Sequence, residues 1–304
     1  MPQGTSGREL AVKTIFVTGA TGILGANLCT HLIANGYNAR ATVRDMNADD
    51  TKSLADAGVE VMPGDLKDKD SLARAIDGAD GIIHSGAMLG RPGASWEEGY
   101  STNVVGTINL LSAAADAGGL PIVQVLTTTF FDGENTFNED SPLDLHFNNR
   151  DVYSVTKRLA YVEGLARVRE GQDIRFMVPG AIYGPSICVE KAMSANTFND
   201  RFVKAIKGEM PTQLPLPMPW VTANDCAYVC VAALEKGEAG KKYIAHGPAD
   251  ATGTVAQIVN RACEIAGTSN RVGEYGKDEL GSPELIEIFG PTIPLLAQRS
   301  YPEP

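Results

Sequence analysis

The segment Thr18-Gly19-Ala20-Thr21-Gly22-Ile23-Leu24-Gly25 constrains this chain most. It follows a short β-rich run, Thr14-Ile15-Phe16-Val17, and opens a helical stretch that ends near Asn35-Gly36. Glycine permits a tight turn and lets backbone approach a bound group closely. A strand, a glycine turn and a helix in this order gather free N–H groups at the positive end of a helix, which suits an anion such as a pyrophosphate. The spacing is GxxGxxG, through Gly19, Gly22 and Gly25. In this context it reads as a dinucleotide-binding turn, with Thr21, Ile23 and Leu24 among the residues that face the ligand.

The alternation continues beyond that turn. Strands are predicted at 38–43, 59–62, 81–84, 122–126 and 174–178, with Ala- and Leu-rich helical stretches between them, such as 103–117. This predicts an α/β fold, a doubly wound parallel Rossmann sheet with helices on both faces. The pattern changes after Pro179. Pro211, Pro215, Pro217 and Pro219 predict an extended connection, neither helix nor central strand. Helices follow at 223–235 and 254–266, and a third opens at Ser282-Pro283-Glu284. The expected division is a dinucleotide-binding domain over 1–180 and a smaller substrate-binding lobe over 181–304.

Charge excludes some functions. The 304 residues carry a net charge of −11 and no Lys/Arg run, so the chain lacks the basic face that nucleic acid requires. No apolar run reaches the ~18–20 residues of a membrane span. Met1 to Leu10 is polar, unlike a signal peptide, and neither Pro2 nor the end Tyr301-Pro302-Glu303-Pro304 is a lipidation signal. Cys29, Cys188, Cys226, Cys230 and Cys263 form no CxxC and no Cys/His cluster, so neither a metal nor a disulfide is expected. The expected setting is reduced and cytoplasmic.

A second motif, Tyr153-Ser154-Val155-Thr156-Lys157, suits proton transfer. Residues four apart share a helix face, so Tyr153 and Lys157 point into one site. A free phenol titrates near pH ~10, and a nearby ammonium stabilises its phenolate. The tuned phenol then gives or takes a proton.

The glycine spacing together with this motif resembles the short-chain dehydrogenase/reductase superfamily, in particular its extended branch of NAD-dependent epimerases and dehydratases. The fragment Arg40-Ala41-Thr42-Val43-Arg44-Asp45 is similar to the dihydroflavonol-4-reductase-like members. The resemblance implies that Tyr153 protonates the substrate oxygen, and that Lys157 binds the nicotinamide ribose and tunes Tyr153. A hydroxyl at the end of the fifth strand would hold the carbonyl. In the run Leu126-Thr127-Thr128-Thr129-Phe130-Phe131-Asp132-Gly133 that position falls on Thr129, with Thr128 as the alternative and Thr127 on the cofactor side. Asn103 resembles the family's helix asparagine, which supports a water or backbone near the lysine. Asp65 and Leu66 resemble the pair at the adenine, and Ser85, Gly86 and Ala87 the small-residue turn beside the cofactor. Val178-Pro179-Gly180-Ala181-Ile182-Tyr183-Gly184-Pro185 resembles the turn covering the nicotinamide, which assigns Pro179, Ala181 and Ile182 to it. Val178 departs from the arginine frequent there, and Thr156 from the serine of YxxSK.

The second strand selects the cofactor. An acid there bonds the ribose diol of NAD, whereas an arginine favours the 2′-phosphate of NADP. The acid position falls on Val43, and Arg44 follows with a fork suited to phosphate. NADP(H) is therefore expected over NAD(H), which Asp45 would serve. The leading expectation is an NADP-dependent reductase of a ketone or aldehyde, or dehydrogenase of the alcohol. Two alternatives stand beside it: a nucleotide-sugar epimerase or dehydratase with tightly bound NAD, and a non-catalytic cofactor sensor. The lobe carries few basic residues, which favours a small, weakly charged substrate. By analogy with the superfamily, a homodimer through helices flanking the sheet stays open.

Overall fold

A computed structural model describes residues 13–90, 94–131, 137–141, 151–195, 197–247 and 252–289. Met1 to Leu10, Asp132-Gly133 and the C-terminal Tyr301–Pro304 lie outside them. The first half runs β1 (Thr14–Thr18), α1 (Ile23–Ala34), β2 (Asn38–Val43), α2 (Asp49–Asp56), β3 (Glu60–Pro63), α3 (Lys69–Ile76), β4 (Gly81–His84), α4 (Trp96–Gly99), a π-helical turn (Tyr100–Val105), α5 (Gly106–Asp116), β5 (Ile122–Val125), α6 (Val152–Arg169) and β6 (Ile174–Pro179). The second half runs β7 (Ala181–Tyr183), α7 (Val189–Ala192), α8 (Phe198–Lys207), β8 (Thr212–Gln213), β9 (Pro217–Thr222), α9 (Ala223–Lys236), β10 (Lys242–Ala245), β11 (Thr252–Thr254), α10 (Val255–Ile265), β12 (Gly273–Glu274) and α11 (Pro283–Phe289).

Seven strands form the main sheet in the order β10-β6-β5-β4-β1-β2-β3, and every pair in it is parallel. Alternate residues of each strand feed opposite cores. Ile15, Val17, Ile83 and Val125 face Leu28 and Leu32 of α1 and Cys226 and Cys230 of α9. Phe16, Ile82 and Phe176 face Leu72 of α3, Leu110 of α5 and Tyr161 of α6. Both faces are covered, as a parallel sheet requires.

Two sequence expectations need correcting. The chain does not divide cleanly at 180: α9 packs in the core of α1, and β10 adds the edge strand beside β6. The lobe therefore consists of β7 to β9 with β11, β12, α7, α8 and α10, around Trp220 and Val259. Pro217 and Pro219 do enter a central strand, since β9 lies between β11 and β7, whereas Pro211 and Pro215 lie outside the strands. Pro217 and Pro219 pair only with β11, whereas β7 joins at Trp220 to Thr222. Each proline thus has a neighbour on one side alone, where its missing N–H costs no ladder bond.

Candidate active site

Strand order reverses between β1 and β4, leaving a crevice at the carboxyl ends of these strands. The glycine turn fills its mouth. Gly19 has φ +72°, and a Cβ there would stand 2.6 Å from Gly86 Cα. A Cβ on Gly25 would collide with the Gly19 carbonyl, so α1 is pressed against the turn. Gly22 caps α1 without a side-chain acceptor, which leaves the first-turn N–H groups, from Ile23 and Leu24 onward, open to an anion. Thr21 is half-buried beside them. The turn is held from behind: Ser85 Oγ donates to the Thr18 carbonyl (2.7 Å), and the Gly86 N–H donates to Thr18 Oγ1 (3.0 Å). Ala87 continues this half-buried strip. Free N–H groups at a helix start suit an anion such as a pyrophosphate.

The residues predicted for the adenosine end differ in their partners. Arg44 is exposed just past β2 and makes no bond to a described residue. Asp45 is engaged locally, accepting the Asn47 N–H (2.9 Å). Asp65 accepts the Lys67 N–H (2.9 Å), and the Leu66 carbonyl accepts from Asn109 Nδ2 (3.0 Å). A Cβ on Gly106 would stand 2.8 Å from Leu66 Cβ, so α5 approaches this residue closely only through glycine.

Helix α6 carries Tyr153 and Lys157. Asp151 caps it, accepting from the Ser154 N–H (3.0 Å) and Ser154 Oγ (2.9 Å). A Cβ on Gly164 would collide with Gln124 Oε1, so α6 can lie directly on β5. That contact carries Lys157 inward: it is 4% exposed, and its Nζ donates to the Val125 carbonyl at 2.6 Å. Burial pulls its pKa down to about 8. Tyr153 lies one turn earlier. Burial pushes its phenol up to about 12, while a hydrogen bond with Thr127 acts the other way and the Asp151 charge adds to the rise. The expectation that Lys157 lowers the phenol is not what the protein alone displays, because burial dominates.

Thr127 is the hydroxyl whose proximity counters the rise of the Tyr153 phenol. The sequence reading had placed Thr127 on the cofactor side and Thr129 at the carbonyl. Thr127 is buried, whereas Thr129 is exposed. Thr129 bonds to the same Thr127 hydroxyl, through its Oγ1 and its N–H at 3.3 Å each. The reason is local. Val123 and Val125 face one core, and Thr127 continues their alternation. A 3-10 turn at Thr128–Phe130 then ends the extended backbone. Thr128 belongs to that turn and is half-buried.

Asn103 sits in the π-helical turn, 2% exposed. Its Nδ2 donates to Thr156 Oγ1 (2.9 Å) and the Met88 carbonyl (3.1 Å), and its Oδ1 accepts the Met88 N–H (2.7 Å). It thereby ties the loop after β4 to the residue beside Lys157. His84 is structural: it bonds Thr18 Oγ1 (2.7 Å) and Thr107 Oγ1 (3.0 Å). Burial and the Lys157 charge pull it down to about 3, so it stays neutral.

Pro179 ends β6, and a Cβ on Gly180 would collide with the Pro219 carbonyl. Ala181 and Ile182 open β7. The third residue of that strand, Tyr183, lines a cavity of about 520 Å³ in the lobe with Pro185, Val189, Met193, Phe202 and Ala262. Tyr153 and Thr127 are not part of its wall. Among the described residues no cluster of His, Cys, Asp or Glu suits a metal ion, and no helix is long and apolar enough to cross a membrane.

Comparison with known proteins agrees with this geometry. Residues 15–245 match the NAD dependent epimerase/dehydratase family. Sterol demethylase protein B of Methylococcus capsulatus is 30% identical over 259 residues, covering 84% of this chain and 75% of that one. Dihydroflavonol 4-reductase of Zea mays is 30% identical over 194 residues, 57% of this chain and 54% of its own. The crystal structure of gox2253 superposes with a TM-score of 0.78 at 25% identity, covering 91% of this chain and 84% of that one.

Proposed function

Because the chain belongs to the NAD dependent epimerase/dehydratase family, we propose that it is an NADP-dependent oxidoreductase that reduces the ketone or aldehyde of a small organic substrate, or oxidises the corresponding alcohol. The observation that carries this reading is the grouping of half-buried Tyr153 with buried Thr127 and Lys157 at the end of β5. The nicotinamide supplies the hydride when bound. Lys157 would hold the ribose hydroxyls, and its charge would favour the phenolate once Tyr153 has given up its proton. Thr127, with Thr129 behind it, orients the carbonyl oxygen. Tyr153 gives its proton to the oxygen as negative charge develops there. A phenol pushed up to about 12 stays protonated at neutral pH and is acidic enough to protonate an alkoxide.

Arg44 supports the choice of NADP over NAD, being a free fork where a 2′-phosphate would lie, while Asp45 is spent on its own loop. The substrate's body is assigned to the lobe cavity, which β7 joins to the nicotinamide turn; its lining is largely apolar, which supports a weakly charged substrate. A cytoplasmic location belongs to the same reading and is supported by five free, buried cysteines. Changing Tyr153 to Phe tests the assignment: turnover should fall by roughly 10²-fold or more while NADPH affinity stays. Retained turnover would reject Tyr153 as the proton donor.

A further inference from the structure

The wall of the lobe cavity is fastened from the dinucleotide half. Helix α7 has no cap of its own, since Cys188 precedes it without a side-chain bond to its N–H groups. Asp50, in the first turn of α2, supplies one. Its Oδ1 accepts the Glu190 N–H (3.3 Å) and its Oδ2 the Lys191 N–H (3.0 Å). Asp50 is 5% exposed and has no cationic partner among the described residues, so those two N–H groups account for its carboxylate. The Cys188 thiol donates to the Asp50 carbonyl (3.5 Å) and lies 4.0 Å from that of Ala20, inside the glycine turn. Asn27 Nδ2, on α1, donates to the Pro185 carbonyl (2.9 Å).

The other end of this chain of contacts is the Arg44 loop. Thr51, next to Asp50, donates from Oγ1 to the Asp45 carbonyl (2.8 Å). A short path therefore runs from the residue facing the 2′-phosphate, through α2, to Val189 and Met193 in the cavity wall.

We propose that Asp50 is a positioning residue that couples the two sites: filling the dinucleotide groove fixes Arg44, the glycine turn and α2, and Asp50 passes that order to segment 185–193 before the substrate enters. The inference rests on the reading of NADPH as cofactor and the lobe cavity as substrate site. It goes further in naming the residue that links them. Coupling of this kind is reciprocal, so a ligand in the cavity tightens the dinucleotide by the same factor.

Hydrogen exchange of the full chain, with and without saturating NADPH, tests it without an identified substrate. In the wild type, NADPH should slow amide exchange over 189–193 by about tenfold. In Asp50→Ala, NADPH should still bind, by its own titration, while that exchange no longer responds. Asp50→Asn keeps one acceptor oxygen and should give an intermediate response; it carries the test if the alanine variant does not fold. Full protection in either variant would overturn the proposal. So would a wild-type segment indifferent to bound NADPH, which would leave the proposed function standing. A wild type that fails to bind NADPH would sink both.

Discussion

At the scale of single residues, the site is a contest between burial and charge. Burial raises Tyr153 and lowers Lys157, so the free protein holds a protonated phenol beside an ammonium that titrates near 8. Two outcomes follow. NADPH affinity should decline as pH rises through about 8, because Lys157 then loses the charge that meets the ribose and the anionic cofactor; fluorescence titration across pH reads this directly. The sign for stability is opposite. The pKa of Lys157 is lower folded than unfolded, so the unfolded chain binds more protons between about 8 and 10.5. Stability gains from this group as pH climbs through that window. Lys157→Met should accordingly leave the free protein at least as stable near neutral pH, as chemical denaturation would measure, while abolishing turnover. The second residue-scale outcome concerns the hydroxyls. Thr127→Val should lower kcat more than Thr129→Val, since Thr127 is the buried one of the two and counters the rise of the Tyr153 phenol; the reverse order would place Thr129 at the carbonyl.

At the scale of elements, glycines set how closely helices approach the sheet. Gly164 is the clearest case. Any side chain there meets Gln124 Oε1 and the Phe176 ring, pushing α6 off β5 and Lys157 away from the Val125 carbonyl. Gly164→Ala should cost about 1–3 kcal/mol in denaturant unfolding and reduce turnover with it. The elements were largely legible in the sequence. The strand–turn–helix at Thr14 to Ala34, the parallel order and the YxxxK helix follow from local pattern. What was not legible depended on distant partners. Nothing within 242–245 says that it closes the main sheet beside β6. The tolerance of Pro217 and Pro219 in β9 becomes visible only when β7 is seen to join at Trp220. Thr127 and Thr129 differ in burial because a 3-10 turn interrupts the strand's alternation, and three consecutive threonines carry no signal of where that happens. Asp50 was missed for the same kind of reason, since its partners are 140 and 141 residues away.

At the scale of the whole molecule, a net charge of −11 coexists with a site for an anionic cofactor. On the proposed reading the cradle would use backbone N–H groups and two placed cations, Arg44 and Lys157. Cofactor choice is then local: NADPH should raise the melting temperature more than NADH, and Arg44→Ala should remove the difference, whereas equal stabilisation of the wild type by both would reverse the assignment. The central claim is that this architecture delivers a proton from Tyr153 to a carbonyl oxygen at the expense of NADPH. Its most direct test is NADPH consumption across a panel of ketones and aldehydes, including flavonoid- and steroid-like carbonyls, by the wild type and Tyr153→Phe side by side. The account predicts consumption with at least one weakly charged carbonyl compound that disappears in the variant. Turnover of a UDP-sugar with no carbonyl-dependent consumption of NADPH would contradict it.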